Sequence, residues 1–349
     1  MIRIELFNHK NASDAEYAAA TEFSNTIRAE VLPDDPPIPL AERIAAWRNI
    51  PAFVDVSSWY VWREDRSEII GGGNVSFLRK EENRHVVDFG IWVLPEFRRQ
   101  GIARRLLALI VDVPRREGRR LMITSTQGAV PAGEVFMRRL GAHMARANHM
   151  NQLDVADLHR DLLRQWQERA RERASDFELG LWEGEYPEDE LEEVAAMFDA
   201  MNRAPRGDLQ VEDFHWTPEE IRAFERRARA RGNQIWTMYV RERGSRRFAG
   251  FTEVAWHPNR PHLLDQYGTA VFPQYQNRGL GRWLKAAMLE KVLRERPQVQ
   301  YVRTGNADMN APMLKINREL GFVPYRSDYT WQVETEKVVG YLRSRGSGA

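Results

Sequence analysis

At 349 residues, the chain is longer than one hydrophobic core usually supports, so two domains are expected. Its 43% apolar and 29% charged residues exclude a disordered, fibrous or membrane-embedded class, and 51 Lys and Arg against 50 Asp and Glu leave a net charge of +1 with no global pull toward nucleic acid or anionic lipid. The chain has no cysteine, which excludes disulfides, thiolate metal sites and a cysteine nucleophile; with no apolar leader after Met1 and no apolar run of about 18 residues, a cytoplasmic location is expected.

In chain order, β-branched and aromatic residues predict strands at 58–62, 69–78 and 86–93. A helix follows Gly101, a strand covers 121–126, and a second helix ends at Gly141. Leu158, Leu162, Leu163 and Trp166 then recur at helical spacing among charges, which reads as a helical linker over 154–176. A new strand begins at 177–182. The runs 234–241 and 248–256 form a hairpin around 243–246, and a third strand at 263–271 is stopped by Pro273. Leu280, Trp283, Leu284, Ala287 and Met288 make one apolar helical face, ended by Pro297. A strand at 299–304 and a helix at 311–320, with Gly321 past its end, complete the pattern. Strands interleaved with helices toward the end of each half predict a mixed α/β sheet.

The two halves repeat one another. Gly90, Val93, Pro95, Gly101 and Arg104 are matched by Gly268, Val271, Pro273, Gly279 and Arg282, each 178 residues later, and Leu140-Gly141 is matched by Leu320-Gly321 at 180. The expected domains are therefore 1–153 and 177–349, joined by 154–176. In each copy a strand, a Pro-containing turn, a glycine loop and an amphipathic helix follow one another. That succession builds an anion site, because the first helical N–H groups lack intrahelical acceptors and the helix dipole adds positive potential. Gly101 and Gly279 clear the approach to the backbone, Ala103 and Gly281 keep the next turn small, and Arg98, Arg99, Arg104, Arg278 and Arg282 are candidates to screen phosphate charge.

Val93-Leu-Pro followed by Arg98-Arg-Gln-Gly101-Ile-Ala103, and Val271-Phe-Pro followed by Gln276-Asn-Arg-Gly279-Leu-Gly281, resemble the Val-x-Pro and Arg/Gln-x-x-Gly-x-Gly/Ala signature of the GNAT superfamily of acyl-CoA N-acyltransferases. The tandem layout is similar to that of mycothiol synthase-like bacterial acetyltransferases. The resemblance implies two tandem domains, each with a mixed, largely antiparallel twisted sheet flanked by helices. It implies acetyl-CoA as co-substrate, its pyrophosphate held by backbone N–H groups of Arg99, Gln100, Gly101, Ile102, Ala103 and Arg104, and of Asn277, Arg278, Gly279, Leu280, Gly281 and Arg282. The strand ends at Val93 and Val271 would bind pantetheine and offer an N–H to the thioester oxygen, with Asn310 near the thioester. The implied reaction is direct acyl transfer to an amine of a small molecule or peptide in a ternary complex, by a monomer (a pseudo-dimer of its two copies) or a homodimer, without metal.

The copies are unequal. The family often carries Asn, then Ala three later, Tyr seven later and a closing Leu-Gly-Phe; the second copy has Asn310, Met313, Asn317 and Leu320-Gly321-Phe322, the first Val130, Gly133, Met137 and Leu140-Gly141-Ala142. The Tyr is assigned to protonating the departing thiolate, which Asn317 and Met137 cannot do. Tyr325 and Tyr329 offer replacements from the following strand or are aromatic packing there, and the alternative is that the CoA thiolate leaves unprotonated. For the base, Glu253 is the first choice, since the run 251–255 is otherwise apolar, and Asp265 the second; the alternative for Glu253 is a solvent-facing charge. Asp88, aligned with Gln266 at the constant offset, is the first copy's candidate. The second copy is thus the expected catalyst, and the rival reading is a catalytically weak acyl-CoA-binding regulatory or scaffold protein.

Other features carry bland explanations. The arginine runs 115–120 and 226–231 read as solvated helix faces rather than a nucleic-acid surface, and the seven acids of 183–193 as a helix N-terminus rather than a cation attractor. His143, His149, His257 and His262 make no convincing ligand set, so no metal is expected.

Overall fold

An alternating apolar pattern makes a strand only where something covers its apolar face, and helices on the sheet faces do so here. The computed structural model describes residues 2–346. Along the chain run β1 (Arg3–Leu6), α1 (Asp14–Val31), α2 (Leu40–Arg48), β2 (Val54–Trp62), β3 (Ile69–Leu78), β4 (Val86–Val93), α3 (Ile102–Arg116), β5 (Leu121–Gln127), α4 (Pro131–Arg139) and β6 (His143–Asp154). There follow α5 (Arg160–Arg173), β7 (Phe177–Glu183), α6 (Leu191–Phe198), α7 (Pro218–Ala230), β8 (Gln234–Glu242), β9 (Phe248–Trp256), β10 (Leu263–Val271) and α8 (Leu280–Glu295). The last elements are β11 (Tyr301–Ala307), α9 (Ala311–Leu320), β12 (Val323–Glu334) and α10 (Thr335–Gly346).

The chain divides into two compact units: Met1–Asn148 with Gly207–Glu212 and Arg326–Ala349, and His149–Arg206 with Asp213–Tyr325. The outermost residues of the expected domains, 1 and 347–349, lie outside the described residues.

In the first unit the strand order is β1-β2-β3-β4-β5-β12. Pairing is antiparallel except between β4 and β5, and β5 is lined from Leu121 to Gln127 by Glu334 to Asp328 of β12. Leu107, Ile110 and Val111 of α3 pack on Val75, Val87 and Phe89, together with Val338 and Val339 of α10. Tyr17 and Phe23 of α1 cover Trp62 and Ile69. The helix α1 starts cleanly because Ser13 and Glu16 cap one another's backbone N–H groups.

The second unit has the order β7-β8-β9-β10-β11-β6, again antiparallel from β7 to β10 and parallel between β10 and β11. One side of this sheet carries α5, α8 and α9, with Leu163, Trp166, Leu280, Leu284 and Leu320 packed on Val254 and Leu264. On the other, α6 and α7 bring Leu191, Val194 and Ile221 against Tyr239 and Phe251. The segment read from sequence as a linker, 154–176, carries α5, whose Leu163 and Trp166 are buried in this core. Each unit therefore has the expected mixed, largely antiparallel sheet flanked by helices. The strand expected at 299–304 begins at Tyr301 and runs on to Ala307.

Candidate functional site

Parallel pairing between β4 and β5 covers Val86–Leu121, Val87–Met122 and Asp88–Ile123, and between β10 and β11 it covers Leu263–Tyr301, Leu264–Val302 and Asp265–Arg303. Each longer strand continues past its last pair, to Val93 or Val271. Beyond Asp88 and Asp265 the parallel pairing ends while the strands run on, leaving in each unit a slot edged by ladder N–H and C=O groups. An extended amide-bearing ligand can satisfy such groups.

At the mouth of each slot lies the glycine loop. Leu94 and Phe272 close the strand, their N–H groups bonding Ile70 O at 3.0 Å and Ala249 O at 2.9 Å, and a short 3₁₀ turn begins at Pro95 or Pro273. Arg99 and Gly101, with φ of 66° and 82°, and Asn277 and Gly279, with 64° and 83°, are left-handed. Gly101 and Gly279 are the N-caps of α3 and α8 and carry no capping side chain, so the first N–H groups of each helix remain for a ligand. A Cβ built on either glycine would meet nothing within 4 Å. The space before each helix end is open, and it suits a phosphate group. Ile102 and Leu280 are buried and pin the first turn.

The strand leading to the second loop is irregular. Between Gln266 and Thr269 the β9–β10 register shifts by one residue, so Tyr267 and Gly268 together oppose Glu253; β3 and β4 pair without a shift. Such a bulge takes one backbone N–H out of the ladder and bends the strand. It also corrects the alignment of the copies. Asp88 is the last β4 residue paired to β5, and Asp265 holds that position on β10, so its counterpart is Asp265 and not Gln266. By the same pairing Glu253 corresponds to Asn74, since Asp88 pairs with Ser76 and Asp265 with Ala255.

Glu253 is half-buried on the α6 and α7 side of the sheet. Its Oε2 accepts from the Tyr186 hydroxyl at 2.9 Å and from Thr237 Oγ1 at 3.2 Å. Burial pushes its carboxyl above the usual range, and these two hydrogen bonds only partly offset that. Tyr186, buried beside this carboxylate, is raised well above its ordinary value and stays a donor. Asp265 is exposed. Asp88 keeps an exposed edge, yet the protein around its carboxyl excludes enough water to push it up to about 6. Gln266 is buried, its amide donating to Glu253 O at 2.7 Å and Thr252 Oγ1 at 3.1 Å.

Residues 22–142 match the sequence model of the acetyltransferase (GNAT) family, a span that covers the first slot and loop. A tandem GNAT protein from the clavulanic acid biosynthesis pathway superposes with a TM-score of 0.74 at 21% identity, over 96% of this chain and 99% of the other. The chain has the fold of a tandem GNAT protein. A GCN5-related N-acetyltransferase from Sphaerobacter thermophilus superposes at 0.64 with 13% identity, over 96% of each chain. The glucosamine N-acetyltransferase region of a fungal multi-domain GH3 β-N-acetylglucosaminidase gives 0.64 at 12% identity, over 95% of this chain and 38% of that one. No curated protein matches by sequence.

Within this GNAT frame, several arginines expected to screen phosphate are engaged within their own unit. Arg98 binds Glu30 and Val93 O, Arg278 binds Asp176 at 3.1 Å, and Arg282 forms a two-pronged pair with Glu319 at 2.9 and 3.0 Å. Gln276 takes the same place as Arg98, donating to Val271 O at 3.2 Å. The backbone of Gln100, Ala103, Arg104 and Gly281 lies in or beside the helix starts, and a Cβ on Gly281 would make ordinary contacts of 3.7 and 3.8 Å, which explains Ala103 in the other copy. Asn310 caps α9, its side chain accepting from Met313 N at 3.4 Å. Tyr329 belongs to the first unit, where it pairs with Thr126, and Asn317 is buried in the second. Sequence reasoning missed Tyr186, which lies far along the chain from Glu253, and Lys285, whose signal was its spacing from Met288, Leu289 and Val292. Among the described residues no group of three metal-ligating side chains is assembled and no helix is long and apolar enough to cross a membrane.

Proposed function

We propose that the second unit transfers an acetyl group from acetyl-CoA to an amine by direct attack, with Glu253 as the base. The observation that carries this reading is the half-buried Glu253 opposite the β10 bulge, where the first unit has the neutral Asn74. The N–H groups of residues 277–282 would hold the pyrophosphate, and the backbone up to Val271 the pantetheine amides. An N–H released by the bulge at Tyr267–Gly268 would meet the carbonyl oxygen as negative charge develops there, a gain realised in the transition state. The carboxylate of Glu253 takes the proton that the attacking nitrogen must lose, and burial, by raising its pKa, makes it the stronger base. Tyr186 and Thr237 hold it in position.

The first unit retains its loop and slot, and Asp88 is its only counterpart to this chemistry on β4; we assign it to binding acetyl-CoA or stabilising the chain. The test is free-thiol release by the full chain with acetyl-CoA across a panel of small amines and amine-bearing peptides. Turnover with one class supports the reading. Binding of acetyl-CoA without transfer to any amine would favour a regulatory or scaffold role.

A further inference from the structure

Lys285 stands on the buried face of α8, three, four and seven residues before the buried Met288, Leu289 and Val292, and it is itself 2% exposed. Its Nζ donates to Asn317 Oδ1 at 2.9 Å, and Asn317 Nδ2 donates to Asn306 Oδ1 at 2.7 Å. The ring of Phe322 lies 5.6 Å away. Among the described residues it has no carboxylate partner. The charged groups of the elements around it are engaged elsewhere: Arg282 with Glu319 of α9, Lys291 with Glu183 and Glu295, Glu290 with Gln167 of α5, and Arg303 of β11 with Gln152. Glu253 of β9 lies on the opposite face of the sheet.

Burying an unpaired ammonium is costly, and the fold has a cheaper solution at the same place. In the first unit the equivalent positions are Leu107 and Met137, packed in one apolar cluster. The second unit replaces both at once with a lysine and its hydrogen-bond acceptor. Asn306 lies on β11 beyond Arg303, the last residue paired to β10, so it edges the slot, and Asn317 links it by hydrogen bonds to Lys285.

Resting on the acyl transfer proposed above, we propose that Lys285 is the proton donor to the departing sulfur. As the C–S bond breaks, its electron pair stays on sulfur, an Nζ–H bond breaks and an S–H bond forms, leaving free thiol and a neutral lysine that regains a proton from water. Burial lowers the Lys285 ammonium to about 7, into the range of a thiol at roughly 8.5, so the two groups share a proton and the ammonium favours a thiolate beside it. Asn317 aims the ammonium and accepts from it.

The test uses the full chain, as wild type, Lys285→Met and Lys285→Met/Asn317→Met, the last restoring an apolar pair like that of the first unit. Thermal unfolding establishes that each is folded. The first readout is the ultraviolet titration of the thiol of CoA bound to the protein. In wild type the bound thiol is expected to ionise at lower pH than free CoA, and in both variants to return toward it. The second is the pH profile of kcat. It should fall about 10²-fold in the variants, with KM for acetyl-CoA nearly unchanged, and the decline of wild type above about pH 7 should vanish. A wild-type bound thiol that titrates like free CoA overturns the proposal without any variant, as does a kcat profile that survives Lys285→Met. If acetyl-CoA binds but no amine is acetylated, the acyl-transfer reading fails, and the thiol titration still decides whether Lys285 addresses the sulfur.

Discussion

Replacing Gly279 with aspartate separates the glycine loop's ligand role from its folding role. The residue sits at φ +83° with no atom within 4 Å of where a Cβ would stand, so the fold pays only left-handed strain, about 1–2 kcal/mol. In the liganded chain that same open space is the proposed pyrophosphate site. A carboxylate there would lie about 5 Å from a phosphate charge, which at an effective dielectric of about 20 costs about 3 kcal/mol per charge pair. That is on the order of a hundredfold in Kd. Gly279→Ala supplies the control, since it adds the same strain without the charge and should weaken binding far less. Calorimetry of the full chain with acetyl-CoA measures both, and raising the salt concentration should recover part of the aspartate's loss. Folded Gly279→Asp with wild-type affinity would refute the assigned loop. The same substitution at Gly101 should leave thiol release by the second unit largely intact; if it abolishes turnover while Gly279→Asp does not, the first unit is the catalyst.

Because burial raises the Glu253 carboxyl, it serves as a base only above that raised pKa; Glu253→Gln should lower kcat/KM about 10²-fold there and converge on wild type as pH falls, and an unchanged pH profile would reassign the base. Lys285 titrates near 7 when folded and near 10.5 otherwise, so between those values the unfolded chain holds more protons and wild-type stability rises with pH, by at most about 5 kcal/mol. Lys285→Met/Asn317→Met should accordingly be the more stable protein at pH 7 by urea denaturation, with an advantage that shrinks toward pH 10; a gap constant with pH would mean that Lys285 is not held with a lowered pKa. Gly250→Ala would drive a methyl into the carbonyl oxygen of Ala270 and to 3.0 Å from Val271 Cα, both backbone atoms at the slot. It should cost about 1–3 kcal/mol and weaken acetyl-CoA binding, whereas Gly281→Ala, facing side chains at ordinary distance, should leave the melting temperature and affinity alike.

The features fixed by local chemistry were legible in the sequence. The periods of strand and helix marked β9, β10 and α9 at their observed limits, and the glycines at 101 and 279 marked open loops before helices, because each signal is carried by residues within one turn or pleat of one another. The 178-residue repeat likewise needed only the chain itself, and it led to the family resemblance. Sequence also singled out Glu253 as a lone carboxylate on an apolar run. What it lacked was everything set by partners distant along the chain. A constant offset matched Asp88 with Gln266; the one-residue bulge on β10 moves the match to Asp265, because register is decided by the neighbouring strand rather than by the strand's own residues. The strand read after the last helix, β12, is held along β5 from Asp328–Gln127 to Glu334–Leu121, two segments about 200 residues apart, a partner that its own residues do not specify. Lys285 reads on a helical wheel as a misplaced charge, and only the packing of α8 against α9 and β11 turns it into a buried ammonium with Asn317 and Asn306 beside an open slot. Burial and electrostatic environment are sums over neighbours that folding brings together, which is why the loops could be read from the chain and the proton-handling groups required the structure.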